Sequence, residues 1–282
     1  MNKTTLLRDY LHLQLFKLKK TSVQESKQKS EMLIQHCLKI SKADIYLKDI
    51  LLDKQNIDDL NIMFDSLIIN TPVQHIIEET FFYENSFFTP PGIFIPRTDT
   101  ELLVDCAIDF LLTKKTKLRI LDLCTGSGCI VLSIAKKFPK NDFIGIDKSS
   151  LAIKVAEKNQ KLLKIDNVKF LKEDIFNLKI NKVDLLFCNP PYLAKEEIET
   201  LDSSVKNHDP EIALTDLKDG TTYYKFLISN FKSLINKNGA MFIELPYSPV
   251  AKDIESINKK LNSNKSTYLK DLEGKNRVIK IY

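Results

Sequence analysis

From about residue 97 onward, short apolar runs and amphipathic segments alternate in a way that few architectures can accommodate. Runs of strand length occur at 118–123, 143–146, 168–171, 185–188, 240–244, 267–269 and 278–281. Helical spacing occurs at 99–112, 128–138, 151–163, 220–235 and 250–261, the first with Leu103, Cys106, Ala107, Phe110 and Leu111 on its buried face. A short continuous apolar run reads as a strand covered on both faces, and strands joined by helices of this length run parallel. The pattern predicts an α/β fold: a doubly wound, mainly parallel sheet with helices on both faces, over residues 97–282.

The preceding chain is different in kind. Residues 1 to about 70 contain neither glycine nor proline. Leu6, Leu7, Tyr10, Leu11 and Phe16 form one helical stripe, and Met32, Leu33, His36, Cys37 and Ile40 another. Ser22, Ser30, Ser41, Asp44 and Asp58 are candidate caps, so residues 1–72 read as a small helical bundle. Residues 73–96 are rich in aromatic and β-branched side chains, with turns at Glu84-Asn85 and Pro90-Pro91-Gly92, and read as a β-hairpin linker.

Bulk properties set limits on function. A net charge of +5 arises from 42 basic and 37 acidic residues, and the lysine pairs are scattered, which argues against a dedicated nucleic-acid stripe. Arg8, Asp9, His12 and Lys17 interrupt the apolar residues of the N-terminus, and no long uncharged apolar stretch follows, so neither a signal peptide nor a membrane span is expected. The five cysteines form no C-x-x-C pair, and the four histidines lack zinc-ligand spacing. A reduced cytoplasmic location, no metal and a monomer are the expectations.

The run ending at Cys188 stops at Asn189-Pro190-Pro191-Tyr192. In open α/β sheets, ligands bind beyond the carboxyl ends of the strands. Two prolines fix two φ angles, remove two N–H donors and keep the preceding residue extended. One side-chain amide, a row of carbonyl acceptors and one aromatic face remain, which suits a planar amino group. A plain rigid turn is the other reading of these four residues.

A second loop bears on that choice. The run ending at Leu123 opens into Cys124-Thr125-Gly126-Ser127-Gly128, where the glycines permit positive φ and the following helix start offers N–H groups to an anion. The loop is either a plain strand–helix turn or a nucleotide-type binding loop. Asp147 ends the next strand at the spacing where a carboxylate meets ribose hydroxyls; a cap on the next helix, for which Ser149 and Ser150 are also candidates, is the other reading. After the third strand, Asp174 could accept from an adenine amino group and Ile175 could pack on the ring. A nicotinamide cofactor would want glycine where Val131 stands. A cofactor bearing a carboxylate in place of a pyrophosphate suits the loop better, which selects S-adenosylmethionine.

Glycine loop, acidic second strand and Asn-Pro-Pro-Tyr together resemble the amino-group methyltransferases, among which adenine-specific enzymes share the tetrad. The flanks narrow the choice. Pro72 through Ile77, Phe81-Phe82-Tyr83, Ile95-Pro96-Arg97-Thr98-Asp99-Thr100-Glu101, Asp209 through Leu214, Asp219-Gly220, Gly239 through Glu244 and Asp271 through Arg277 resemble, in order, the protein-(glutamine) methyltransferases of the PrmC/HemK family. The resemblance implies a class I (Rossmann-like) methyltransferase domain behind a helical domain that docks class I peptide chain release factors. It implies methylation of the glutamine amide of their Gly-Gly-Gln motif, with no nucleic acid required. The cofactor would meet Cys124–Gly128, Asp147, Ile175 and Asn189, and the substrate glutamine would meet Asn189, Pro190, Pro191 and Tyr192. Asn189, Pro190 and Tyr192 would carry the chemistry. Methylation of adenine or guanine in nucleic acid is the alternative activity.

Three positions depart from the family pattern. Cys124 stands where glycine is usual, and Asp209 where glutamate is favoured. Leu245-Pro246-Tyr247-Ser248-Pro249 replaces the usual glycine and glutamine, suggesting a relaxed constraint on that loop. Arg97 and Glu101 either shape the cofactor side of the pocket or form an i,i+4 pair.

Overall fold

All seven apolar runs join a single sheet. The computed structural model describes residues 5–261 and 264–282. It divides into two compact units, one comprising the chain to residue 79 with 202–208, the other 80–201 with 209–282.

In the first unit, α1 (Leu7–Leu18), α2 (Ser26–Leu38), α3 (Lys42–Leu47), α4 (Lys54–Ile68) and α5 (Val73–Ile77) enclose Leu7, Tyr10, Leu11, Leu33, Ile34, Leu60 and Phe64. The stripe on α1 passes through buried Gln14, whereas Phe16 is exposed. The Gln14 amide and the Tyr10 hydroxyl both donate to Asn61 Oδ1, so a polar residue replaces an aromatic one in that face. Ser41 and Asp44 form a reciprocal capping box on α3. Helix α4 is capped by Asp53, and the expected cap Asp58 lies inside it, while Ser30 lies inside α2 and donates to the Ser26 carbonyl.

The boundary falls later than residue 72. Val73, Ile76 and Ile77 recur at helical spacing and pack on the helical core, so 73–77 is α5 and not a hairpin arm. The hairpin itself pairs Glu79–Phe82 with Asn85–Phe88 through a left-handed turn at Tyr83 and Glu84, one residue earlier than expected. Phe82 and Phe87 belong to the core beneath the large sheet, so the hairpin is part of that unit. Residues 202–208 join the helical unit, where Asn70 Nδ2 donates to Ser203 Oγ at 2.6 Å.

The sheet comprises β1 (Arg119–Leu123), β2 (Asp142–Asp147), β3 (Val168–Lys172), β4 (Val183–Cys188), β5 (Ile235–Glu244), β6 (Ser266–Lys270) and β7 (Asn276–Ile281). Its order is β6-β7-β5-β4-β1-β2-β3. The first five strands are parallel; β7 runs antiparallel to β5, and β6 to β7. Helices α6 (Glu101–Leu112), α7 (Cys129–Lys137) and α8 (Ser150–Leu162) contribute to the layers. The predicted helix at 220–235 divides into Thr222–Ser229 and Phe231–Leu234, and Ile235 already lies in β5. Asn230 breaks it, because its side-chain amide donates to the Phe226 carbonyl beside its own backbone N–H.

Winding reverses between β1 and β4, and the crevice beyond the carboxyl ends of those strands is where such sheets bind ligands. Leu123 pairs with Cys188, and Cys188 with Ile243. Cys124, Asn189 and Glu244 therefore stand at the ends of three adjacent parallel strands.

Candidate active site

Beyond β1 the chain turns sharply. Cys124, Gly126 and Gly128 have φ of +59°, +55° and +79°. A non-glycine residue held in this region is strained by about 1 kcal/mol. The strain is a physical reason to expect glycine at the Cys124 position. The Cys124 side chain packs at the margin of the core on one face of the sheet and lies beside the Cys188 thiol. A Cβ placed on Gly126 would meet nothing within 4 Å, so open space lies in front of the loop there.

Asp147 ties the second strand to this loop. Its Oδ2 accepts from Gly126 N–H and its Oδ1 from Ser149 N–H, both at 2.9 Å. The cap of α8 is Ser149, which accepts from Ala152 N–H, so Asp147 is not that helix's cap. Burial raises the Asp147 pKa. Fully buried Asp122 accepts from Thr125 Oγ1 at 2.5 Å, and its other oxygen, Oδ1, has no partner. Burial also raises the Asp122 pKa well above the ordinary carboxylate range.

Asn159 on α8 was not singled out from sequence. Its Nδ2 donates to Ser127 O at 2.9 Å and to Phe88 O at 3.0 Å, and its Oδ1 accepts from Phe88 N–H at 2.7 Å. One buried amide thus fastens the glycine loop to the end of the hairpin. After β3, Asp174 Oδ1 accepts from Phe176 N–H in a short turn, and Ile175 is buried. The Phe176 ring meets Tyr223 and Phe226 at centroid distances of 5.2 and 5.1 Å.

At the end of β4, Asn189 is half-buried and Pro190 and Pro191 are buried. The tetrad is pinned from the loop before the helix Thr222–Ser229. Leu193 N–H donates to Leu214 O, Thr215 Oγ1 donates to Leu193 O, and Lys195 N–H donates to Lys218 O. Asp216 organises that loop by accepting from the N–H groups of Lys218, Gly220 and Thr222.

Behind Asn189 lies a buried polar cluster. Asn189 Nδ2 donates to Thr100 Oγ1 at 3.2 Å. Glu244 is buried, its backbone carbonyl accepts from Tyr224 Oη at 2.7 Å, and its Oε2 has no partner. Burial pushes the Glu244 carboxyl up to about 7, while the Thr100 hydroxyl, the Arg277 charge and the Asn189 amide oppose the rise. Burial and the neighbouring Glu244 charge raise the Tyr192 phenol to about 12.

Arg97 and Glu101 do not pair. Arg97 Nη2 meets Asp209 Oδ2 at 2.8 Å, and Glu101 Oε1 accepts from Tyr83 N–H at the hairpin turn. Side-chain contacts hold the loop after Glu244. Leu245 is fully buried, and its carbonyl accepts from Arg277 Nη1 at 2.7 Å. The Arg277 guanidinium lies 3.2 Å from the Tyr247 ring centroid, and Nη2 pairs with Asp99 Oδ2 at 2.9 Å. Tyr247 and Arg277 therefore close this loop by stacking.

Strand order, glycine turn and acidic strand ends define a class I S-adenosylmethionine-dependent methyltransferase. In agreement, residues 114–280 match the family model described as "Methyltransferase domain". The chain is 35% identical over 252 residues to a release factor glutamine methyltransferase of Thermodesulfovibrio yellowstonii, covering 89% of this chain and 90% of that protein. A protein of the same name from Fusobacterium nucleatum is 35% identical over 268 residues, covering 93% and 75%. One from Mycoplasma mycoides is 32% identical over 254 residues, covering 89% of each. The chain belongs to the release factor glutamine methyltransferase family. Among the described residues, no helix is long and apolar enough to cross a membrane, and no cluster of His, Cys, Asp and Glu could hold a metal ion.

Proposed function

We propose that this chain methylates the side-chain amide nitrogen of the glutamine in the Gly-Gly-Gln motif of class I peptide chain release factors. The observation that carries the reading is the placement of Asn189 at the switch point of the sheet, one strand from the glycine loop. The open space before Gly126 suits a ligand lying against the backbone of the loop. Cys124, Thr125, Gly126, Ser127 and Gly128 would hold the amino-acid end of the cofactor, Asp147 the ribose, Asp174 and Ile175 the adenine, and Asn189 the side nearest the methyl group. S-adenosylmethionine, when bound, supplies an electrophilic sulfonium methyl.

The protein's own part is positioning and charge stabilisation. An amide nitrogen is a poor nucleophile because its lone pair is delocalised into the carbonyl. Asn189 Oδ1 and the Pro190 carbonyl would each accept one N–H of the glutamine, turning the nitrogen lone pair toward the donor. Positive charge develops on that nitrogen as the bond forms, and two fixed acceptors stabilise it more than they stabilise the neutral ground state. Tyr192 would stack on the amide plane, with Pro191 holding the corner rigid. The helical unit would dock the release factor.

The test uses labelled S-adenosylmethionine with a release factor, the same factor carrying alanine at its motif glutamine, or DNA. Label on the intact factor alone supports the reading, and label on DNA or on the alanine variant overturns it. Asn189→Ala should abolish transfer while cofactor affinity falls only modestly; equal loss of both would make Asn189 chiefly a cofactor residue.

A further inference from the structure

We infer that Thr100 and Glu244 are positioning residues for Asn189: they hold the nitrogen side of its amide inward, so that only the oxygen is offered to the substrate. The inference rests on the methyl-transfer reading above and deepens it.

A side-chain amide is nearly symmetric in shape, but a half-turn exchanges an acceptor for two donors. An asparagine facing a substrate –NH2 group works in one orientation only. In the other, donors face donors and the substrate nitrogen is left without an acceptor. The two prolines fix the backbone of the corner, but they do not select between the orientations. Selection has to come from behind the amide.

Thr100 stands there, 2% exposed, at the end of the short turn that leads into α6. Its Oγ1 accepts from Asn189 Nδ2 at 3.2 Å. A hydroxyl can both donate and accept, so Thr100 alone would tolerate either orientation. An ionised carboxylate only accepts, and Glu244 follows Ile243 on the strand beside β4 as Asn189 follows Cys188. The Glu244 carboxyl is close enough to the Thr100 hydroxyl and the Asn189 amide for both to hold its titration down. In the proposed arrangement the Thr100 proton is turned to Glu244, which leaves the Thr100 oxygen to accept from Asn189 as it does here. The chain of polarity then runs from carboxylate to hydroxyl to amide nitrogen, and the amide oxygen is left facing outward.

Glu244 does not look like a device for stability. It is 3% exposed, and its Oε2 has no partner. Burying a carboxyl with an unsatisfied oxygen costs stability. A role in fixing polarity gives such a group a reason to be there. The other groups facing it are Arg277 on β7, Asp99 before α6, Cys129 at the start of α7, Tyr192 in the tetrad and Tyr224 from the helix Thr222–Ser229. Burial holds its titration near 7, and in the protonated form it can donate to Thr100 and reverse the chain.

The experiment compares wild type, Thr100→Val, Thr100→Ser and Glu244→Gln with S-adenosylmethionine and a release factor, recording kcat, KM, cofactor affinity by calorimetry and thermal melting. Thr100→Val and Glu244→Gln should lower kcat by about tenfold, while KM and cofactor affinity stay within about twofold. Thr100→Ser should recover most of the loss. The wild-type kcat should fall as pH drops through about 7, and Glu244→Gln should flatten that limb. A wild-type kcat in Thr100→Val, or a loss matched by an equal loss of cofactor affinity, overturns the inference; so does Thr100→Ser behaving like Thr100→Val. Failure of the underlying reading shows separately, as a wild type that leaves the release factor unlabelled.

Discussion

A methyl group added to the α-carbon of Gly220 would stand 2.2 Å from the carbonyl oxygen of Tyr192. The loop organised by Asp216 is thus packed backbone to backbone on the last residue of the tetrad. Gly220 also has φ of +75°, which a residue with a side chain adopts only under strain. Gly220→Ala should therefore lower stability by about 2 kcal/mol and cut methyl transfer at least as strongly as it cuts folding. Melting curves beside initial rates check this; an active variant with wild-type melting would contradict the close approach.

At Cys124 the expectation has the opposite sign. Its φ of +59° suits glycine, so Cys124→Gly should raise stability by about 0.5–1 kcal/mol. Cys124→Ala keeps the left-handed backbone and loses packing beside Cys188, so it should gain nothing. Urea midpoints of the two variants against wild type decide it, and equal shifts for both would remove backbone strain as the cause.

Asn159 joins two loops through one side chain. Asn159→Ala leaves the Ser127 and Phe88 carbonyls and the Phe88 N–H without their partner, at a cost of about 2–4 kcal/mol. Cofactor affinity should fall as well, because the glycine loop loses its fastening. Calorimetry at a temperature where the variant is folded tests this, and undiminished affinity would show that the loop holds its shape unaided.

Glu244 makes stability depend on pH in a predictable direction. Its folded value is raised from 4.5 to about 7, so its folded carboxyl keeps a proton that the unfolded one has already lost. The resulting contribution to stability is fully present below the unfolded value and is lost as pH rises through the folded one. Glu244→Gln does not titrate. Relative to wild type it should therefore be more stable at pH 8 than at pH 4, by up to about 3 kcal/mol. A constant difference across that range would show that Arg277 offsets the burial completely.

Much of the sheet was legible because each strand is a short apolar run ended by a polar or glycine turn. The strand ends carried the candidate residues, so Cys124–Gly128, Asp147 and Asn189 could be singled out before their neighbours were known. What stayed hidden depends on contacts distant in sequence. Arg97 and Glu101 look like a helical pair, yet Asp209 and the Tyr83 amide claim them. Asn159 looks like an ordinary helix residue until Ser127 and Phe88 are placed around it. Nothing local in the loop after Glu244 reveals that Tyr247 will stack on Arg277. Phe16 was counted into a helix stripe on hydrophobicity alone, whereas Asn61 reserved that face for Gln14.

The register of Leu123 opposite Cys188 also bears on how such a site can change over time. The glycine loop and the Asn189 corner leave neighbouring strands at paired positions of one ladder, so the strand ends that carry them stand about 4.8 Å apart. That gap is a property of the backbone ladder. Under the proposed reading, loops around the corner can diverge toward other amino-bearing substrates while the frame that spaces the two strand ends stays constant.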